Sequence, residues 1–544
     1  MRGKTRTISA AIVAVIAVAV ASVVLWPRSG NDASSAAAPA ATTQDPAAAP
    51  TATPETVAKA FLDAWAAGDY AKAAAFTDNA KAAGPRLQAV MKSLNPKSVQ
   101  LTLGSQDSVN RYAFSVVDTF DGDSQWKYSS LVSVVPATAT APPLVHWSSA
   151  IIHPQLGAQA TLIAAPPPAT VVDAKGVPLA ASAHPSLGAV LSRLAVAKQP
   201  GAAPAGLRIT FVDANTGAAL PDAEPIPIGP PATGAGVQIS TTLDDKVQTA
   251  AERALAAYPE SGMVVIKPST GGVLAMASNS KTTPGLAYHA NRAPGSTFKT
   301  ITTAALMQAG LKPSDPAPCP PTSTVGSQTY HNDEGLKNGY PDATLADAFE
   351  QSCNTSYVGL RDRLSGLSAL ADEAKTYFGL NQPWDMGLGS ATYCTADDQQ
   401  VPVSDGQERF AAETFGQGNI TMCPLTMASV AATVASGSFK QPVLVPGWKQ
   451  VAATPLSAQV DGNLKTLMRG VITDGTATSL RGISPTLGAK TGTAERQNEN
   501  PDSWMIAMDP QHDIAVACVV LNGGFGDDKA GPAIKAMLAG IGIR

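Results

Sequence analysis

The sequence has no surplus of either charge: 38 Lys and Arg stand against 42 Asp and Glu in 544 residues, a formal net charge of −4. Its basic residues are scattered, so it lacks the positive stripe that phosphate contacts require, and nucleic acid is set aside as a partner. Histidine is scarce, with six in the chain. These lie apart from one another and there is no Cys-x-x-Cys, so no metal site and no cofactor is expected and each His reads as structural or surface. Cysteine stands only at 319, 353, 394, 423 and 518. None precedes Cys319, which excludes a lipid-modified N-terminal Cys; an odd number leaves at least one free or paired between chains, and Cys353 reads as a small buried residue. No period of roughly 20–50 residues recurs, so the chain is not a solenoid.

What is present is apolar content of 44% over a long chain, enough for substantial cores divided among about three or four domains. Long apolar runs are confined to one place. Met1-Arg-Gly-Lys-Thr-Arg6 carries three positive charges and precedes Ile8 to Trp26, an uncharged run closed by Pro27-Arg28. Its ~19 residues reach ~28 Å as a helix, close to the hydrocarbon thickness of a bilayer. The basic flank favours a cytoplasmic tip with everything after it exported. An anchor over residues 1–30 is therefore expected, with a cleaved signal peptide as the alternative, Ser34-Ser-Ala-Ala-Ala-Pro39 supplying small residues for cleavage. Residues 31–53 are almost all Ala, Pro, Ser and Thr, a linker composition that cannot bury a core.

Structure is predicted to resume at Thr53-Pro-Glu-Thr56, a cap with Pro at the first helical position, followed by Val57, Phe61, Leu62 and Trp65 on one face. A second Ala-rich helix and extended runs at Val99–Leu103, Arg111–Thr119, Trp126–Val134 and Leu144–Ile152 complete a small α+β domain over 54–160. Residues 161–236 are rich in Pro and Gly and read as a linker with two hairpins, Ala169–Gly176 and Leu207–Gly217. From 237 to 544 helices and strands alternate, including a buried hairpin over Gly262–Ala277.

Three short motifs in that last region carry chemistry. Ala293-Pro-Gly-Ser-Thr-Phe-Lys299 puts a hydroxyl and an amine three residues apart at the start of a helical run ended by Gly310. Ser352-Cys-Asn354 and Lys490-Thr-Gly-Thr493 follow in order. Ser-x-x-Lys alone is cheap, and it recurs at Ser124–Lys127 and Ser278–Lys281, as Ser-x-Asn does at Ser29–Asn31, Ser93–Asn95 and Ser108–Asn110. Context separates them: only Ser296 and Lys299 share a face at a helix N-terminus, where free N–H groups and positive potential suit an oxyanion. A serine is a weak nucleophile without a base, and a lysine is a base only when its pKa falls from about 10.4. Burial lowers it, as does a second ammonium, and Lys490 is the natural second charge.

Together the motifs resemble the catalytic signature of the serine penicillin-recognising enzymes. The likeness spans roughly the last 300 residues, with Phe415-Gly-Gln-Gly418 to Cys423-Pro-Leu425, Gly475-Thr-Ala477 and Trp504-Met-Ile506 falling where the family has similar segments. Cys423 stands where Thr is usual, and Ala489 where Gly more often precedes the Lys. Helix-helix-sheet ending in His146-Trp-Ser-Ser-Ala-Ile-Ile-His-Pro-Gln155 resembles the NTF2-like domain of MecA-type class B penicillin-binding proteins.

The resemblance implies a multidomain α+β chain. It would have a penicillin-binding/β-lactamase-like transpeptidase domain, an antiparallel sheet flanked by helices, over 237–544. An NTF2-like α+β domain over 54–160, a linker or dimerisation-like region over 161–236 and an N-terminal transmembrane helix would precede it. It implies a peptidoglycan D,D-transpeptidase held at the plasma membrane by a single pass, with its catalytic domain on the extracytoplasmic side. Stem peptides would be its substrate, β-lactams its covalent inhibitors and a glycosyltransferase a partner. Catalysis would rest on Ser296 as nucleophile, Lys299 as its base, and Ser352 and Lys490 as proton relay; Asn354, Thr491, Gly492 and Thr493 would hold substrate, with no metal. His289, Tyr330, His331 and Asp502 read as supporting or surface residues. A β-lactamase or D,D-carboxypeptidase on the same fold, or a sensor without turnover, stays open as an alternative.

Overall fold

A computed structural model describes residues 52–165, 169–196, 207–217, 219–220, 223–228, 238–289, 291–388, 394, 400–496 and 499–544. The apolar run Ile8–Trp26 and nearly all of the 31–53 linker lie outside them. No helix among the described residues is long and apolar enough to cross a membrane.

Helix α1 (Pro54–Ala66) buries Val57, Ala58, Phe61, Leu62 and Trp65, a stripe at 3- and 4-residue spacing. It is followed by α2 (Tyr70–Ala75), capped by the Asp69 carboxylate, and α3 (Ala80–Leu94), capped by Asn79. These helices pack on an antiparallel sheet of β1 (Ser98–Ser108), β2 (Arg111–Thr119), β3 (Gln125–Val135) and β4 (Leu144–Val145), in that spatial order. On β2 the residues Tyr112, Phe114, Val116 and Asp118 alternate inward. The run expected to be extended from Leu144 to Ile152 is a strand only at its first two residues. Asp78 accounts for the difference: its carboxylate accepts the Trp147 N–H at 2.9 Å and meets His146 Nδ1 at 2.6 Å, turning the chain into a 3₁₀ turn over Ser149–Ile151.

The Pro- and Gly-rich stretch feeds two cores. Strands β5 (Ala160–Ala165), β7 (Leu207–Asp213) and β8 (Ile226–Ile228) form one sheet that adds Leu162, Ile209, Phe211 and Ile228 to the N-terminal core. By contrast β6 (Thr170–Val172), the 3₁₀ turn over Pro185–Leu187 and α4 (Gly188–Val196) place Val171, Leu187, Val190 and Leu194 in the second, larger core. Ala169–Gly176 does make a turn, with the Asp173 N–H on the Val177 carbonyl. Its strand, however, pairs in parallel with β9 (Gln238–Ser240) rather than folding back as a full hairpin.

The larger core is built on an antiparallel sheet in the order β11-β10-β16-β15-β14. In chain order this region contains α5 (Asp245–Leu255), β10 (Ser261–Lys267), β11 (Gly272–Asn279), α6 (Leu286–His289), α7 (Lys299–Gln308), β12 (Thr322–Val325), β13 (Gln328–His331), α8 (Leu345–Glu350), α9 (Asn354–Leu360), α10 (Ala369–Phe378), α11 (Gln407–Glu413), α12 (Pro424–Ser436), α13 (Ala458–Thr473), β14 (Gly488–Arg496), β15 (Glu499–Asp509), β16 (Ile514–Val520) and α14 (Ala530–Ile541). The expected hairpin is β10–β11, with Met263 opposite Ala277. Every residue of β16 is buried, as a strand covered on both faces must be. Helices α5 and α14 pack together against the sheet, and α12 packs against β10, β15 and β16. Helix α7 is buried from Lys299 to Met307 with no polar stripe, which makes it an interior helix.

Candidate active site

Ser296 lies where α7 approaches the edge strand β14. Gly295 has φ +54°, and a Cβ there would sit 2.5 Å from the Thr493 carbonyl oxygen, so only glycine allows this approach. The turn from Gly295 to Phe298 is 3₁₀ rather than the α-helical first turn expected, and α7 proper begins at Lys299. That difference serves the pair: with three residues per turn, positions i and i+3 eclipse, and the Lys299 side chain stands directly over Ser296. Lys299 Nζ is 2.9 Å from Ser296 Oγ.

The partners of Lys299 determine what the amine can do. Nζ donates to the Ser352 carbonyl oxygen at 2.7 Å and to Asn354 Oδ1 at 2.8 Å. The Asn354 amide is oriented by its own Nδ2, which donates to the His331 carbonyl at 3.1 Å. Both of those oxygens only accept, so a neutral amine spends its two hydrogens on them and turns its lone pair toward the Ser296 hydroxyl. Ser352 is held at φ +62°, sparsely populated for a residue with a Cβ. There it offers its carbonyl to Lys299 and its hydroxyl to Lys490 Nζ at 2.9 Å. Lys490 Nζ also donates to the Thr491 carbonyl at 3.1 Å.

Both lysines are fully buried. Burial, and then the neighbouring Lys490 charge, holds Lys299 well below the usual lysine range, with Asp333 opposing. Burial pushes Lys490 down to about 7, again with Asp333 opposing. Ser296 is 6% exposed and Thr493 half-buried, so the hydroxyl sits at the floor of the site with β14 as its wall. On that strand Thr491 Oγ1 bonds Thr476 Oγ1 at 2.5 Å. Gly492 has no room for a side chain: a Cβ would lie 2.8 Å from both the Pro294 oxygen and Thr297 Cγ2. All eight residues singled out in the sequence thus lie on the elements that meet here. The stray match Ser278–Lys281 has other partners: Ser278 Oγ accepts the Ala287 N–H, and the Lys281 N–H serves Glu260.

Two contributors went unread in the sequence. Asn332 Oδ1 accepts the N–H groups of Asn354 and Thr355 at 2.9 and 3.0 Å, capping the start of α9, while its Nδ2 donates to the Pro320 carbonyl. Asp333, the next residue, is the carboxylate that opposes the loss of both lysine protons. Cys353 is buried as expected but is not a lone thiol; a disulfide to Cys319 ties the middle of Ser352-Cys-Asn354 to the segment leading into β12. Cys394 and Cys423 form a second disulfide, and Cys518 is free and buried.

Residues 261–539 match the family model of the penicillin-binding protein transpeptidase domain, and residues 53–160 match that of the NTF2-like N-terminal transpeptidase domain. The peptidoglycan D,D-transpeptidase PbpA of Mycolicibacterium smegmatis is 32% identical over 366 residues, covering 55% of this chain and 70% of that protein. The chain belongs to the penicillin-binding protein transpeptidase family. PbpA of Mycobacterium tuberculosis is 31% identical over 356 residues, with the same coverage of 55% and 70%. Among solved structures, the D,D-transpeptidase domain of a peptidoglycan glycosyltransferase from Eggerthella lenta superposes with a TM-score of 0.51 at 24% identity, over 69% of this chain and 99% of that one. At that identity the likeness speaks for the fold.

In this penicillin-binding protein Cys423 stands at the head of α12 and is bonded to Cys394. Gly416, from the Gly-Gln-Gly segment, accepts the Gly295 N–H through its carbonyl at 3.1 Å, so this segment braces the turn that carries Ser296. The remaining polar residues near the motifs have supporting partners. Tyr330 donates to the Glu408 carbonyl, His331 lends its carbonyl to Asn354, and Asp502 accepts the Asn522 N–H. His289 packs its ring on Tyr288.

Proposed function

We propose that this protein is a peptidoglycan D,D-transpeptidase that cross-links stem peptides through an acyl-enzyme on Ser296 and is acylated at the same residue by β-lactams. The observation that carries the reading is the Lys299 amine, 2.9 Å from Ser296 Oγ, with two acceptor-only oxygens claiming its hydrogens. Ser296 Oγ attacks the penultimate D-Ala carbonyl and Lys299 takes its proton. The N–H groups of Ser296 and Thr493 receive the oxyanion, each such donor contributing ~3–4 kcal/mol in comparable sites. The C–N bond then breaks, and the proton held by Lys299 passes through Ser352, beside Lys490, to the departing D-Ala amine, leaving Lys299 neutral again. An amine from a neighbouring strand attacks the ester, and its proton passes through Lys299 to Ser296 Oγ as the C–O bond breaks, restoring the hydroxyl and the neutral amine. Asn354 holds the peptide, and Thr491, Gly492 and Thr493 hold the terminal carboxylate beside the Lys490 charge. In a β-lactam the broken C–N bond belongs to the ring, so the leaving amine stays tethered and blocks the acceptor.

On this reading residues 1–30 anchor the protein in the plasma membrane and 31–53 are a tether. Residues 54–160 lift the catalytic region, 237–544, away from the bilayer on the extracytoplasmic side, with 161–236 joining them. A glycosyltransferase supplying nascent strands is the expected partner. Incubation of the purified protein with a D-Ala-D-Ala stem peptide and a labelled amine tests it. Label joined to the shortened peptide, with free D-Ala, is expected. Hydrolysed peptide alone would make it a carboxypeptidase, and rapid β-lactam turnover a lactamase.

A further inference from the structure

The helix that presents Lys299 at one end lines a second cavity at the other. This space of about 450 Å³ lies between the C-terminal end of α7 and α10 and is bordered by Ala305, Gln308, Arg363, Asp372, Glu373 and Tyr377. Its volume falls in the range of small-molecule pockets. Glu373 stands on the inward face of α10 among Leu370, Ala374 and Phe378 and is 6% exposed. Its Oε1 is enclosed and has no hydrogen-bond partner. Burial raises the carboxyl to about 8. A leucine or methionine would fill such a core position without that penalty. Glu373 lines the cavity with a carboxyl that has one oxygen left without a donor, half of a recognition pair.

We propose that this cavity binds a small primary amine of the α-amino acid class, its ammonium group received by Glu373 and its carboxylate directed to Arg363 at the exposed rim. Asp372, also exposed on the rim, adds to the preference for a cation inside. Binding converts the Glu373 acid to carboxylate, so one proton leaves for each ammonium taken up at neutral pH. The site is separate from the Ser296 pocket and does not depend on which acyl acceptor the enzyme uses.

Titration calorimetry of the full chain with methylammonium, glycine and D-alanine, in two buffers of different ionisation enthalpy, tests the proposal. Saturable binding is expected, with proton release and with the amino acids tighter than methylammonium. Glu373→Leu, which removes an unpartnered buried acid and keeps the fold, should weaken binding at least about tenfold and abolish proton release while leaving the penicillin acylation rate unchanged. Arg363→Ala should bring the amino acids down to the level of methylammonium. Failure of all three probes to bind, or binding that survives Glu373→Leu, would overturn the assignment.

Discussion

Replacing Lys490 by methionine keeps an unbranched apolar stem and deletes the second charge that Lys299 experiences. Both amines touch the Ser352 hydroxyl, at 3.4 and 2.9 Å, which keeps their nitrogens within about 6 Å of each other. At an effective dielectric constant of ~20, two unit charges at that distance repel by ~3 kcal/mol, or slightly more than a hundredfold in the protonation equilibrium of Lys299. Burial of Lys299 is unchanged in the variant, so the larger cause of its low proton affinity persists. The effect is confined to the range below about 7, where Lys490 holds its own proton. Second-order acylation by a fluorescent penicillin, measured across mildly acidic to alkaline pH, should show the acid limb of Lys490→Met moved to higher pH. The plateau above it should be lower through loss of the Ser352 proton relay. An acid limb that stays in place while only the plateau falls would refute the claim that Lys490 helps to keep Lys299 neutral.

Three further outcomes are expected. Gly295→Ala forces a Cβ against the Thr493 oxygen at a positive-φ position, so it should cost ~1–3 kcal/mol in thermal or denaturant unfolding and nearly abolish penicillin labelling. Asn332→Ala removes the acceptor at the start of α9 and should cost ~1 kcal/mol with slower acylation; Asn332→Asp, which keeps an acceptor, should recover part of the rate, and equal rates for the two variants would contradict the capping role. Asp118, 1% exposed with neither carboxylate oxygen partnered, is raised to about 7 by burial. A raised carboxyl contributes stability below the usual carboxylate range and loses it as pH rises through the folded value. Differential scanning calorimetry should therefore show Asp118→Leu gaining on the wild type between acid and mildly alkaline pH, by up to ~4 kcal/mol; parallel curves would contradict it.

The proposed catalytic constellation was legible because each piece is local. Ser296 and Lys299 are three residues apart, Ser352 and Asn354 two, and Lys490 to Thr493 are contiguous, so each motif can be recognised within a few residues of sequence. Lys490 could be named as the second charge because a nearby ammonium adds to burial in keeping Lys299 neutral. Asn332 was not legible: it caps a helix that starts 22 residues later, and nothing in His331-Asn-Asp333 distinguishes it from a turn residue. The Cys319–Cys353 bond was hidden for a related reason, since five cysteines leave the pairing open. The 144–152 run was misjudged because the Asp78 carboxylate, more than 60 residues upstream in sequence, competes for its backbone. Strand β6 was placed in a local hairpin, whereas its partner is β9, beyond the whole of β7 and β8. Local chemistry is written locally, and long-range partners are not.

The central claim is that Ser296 is the nucleophile and the neutral amine of Lys299 its base. Peptide mapping by mass spectrometry after incubation with benzylpenicillin tests it most directly, in the wild type, in Ser296→Ala and in Lys299→Met. The account predicts one penicilloyl adduct, on the peptide carrying Ser296, absent from Ser296→Ala and formed only very slowly in Lys299→Met. An adduct on any other residue of the wild type, or undiminished labelling of either variant, would contradict it.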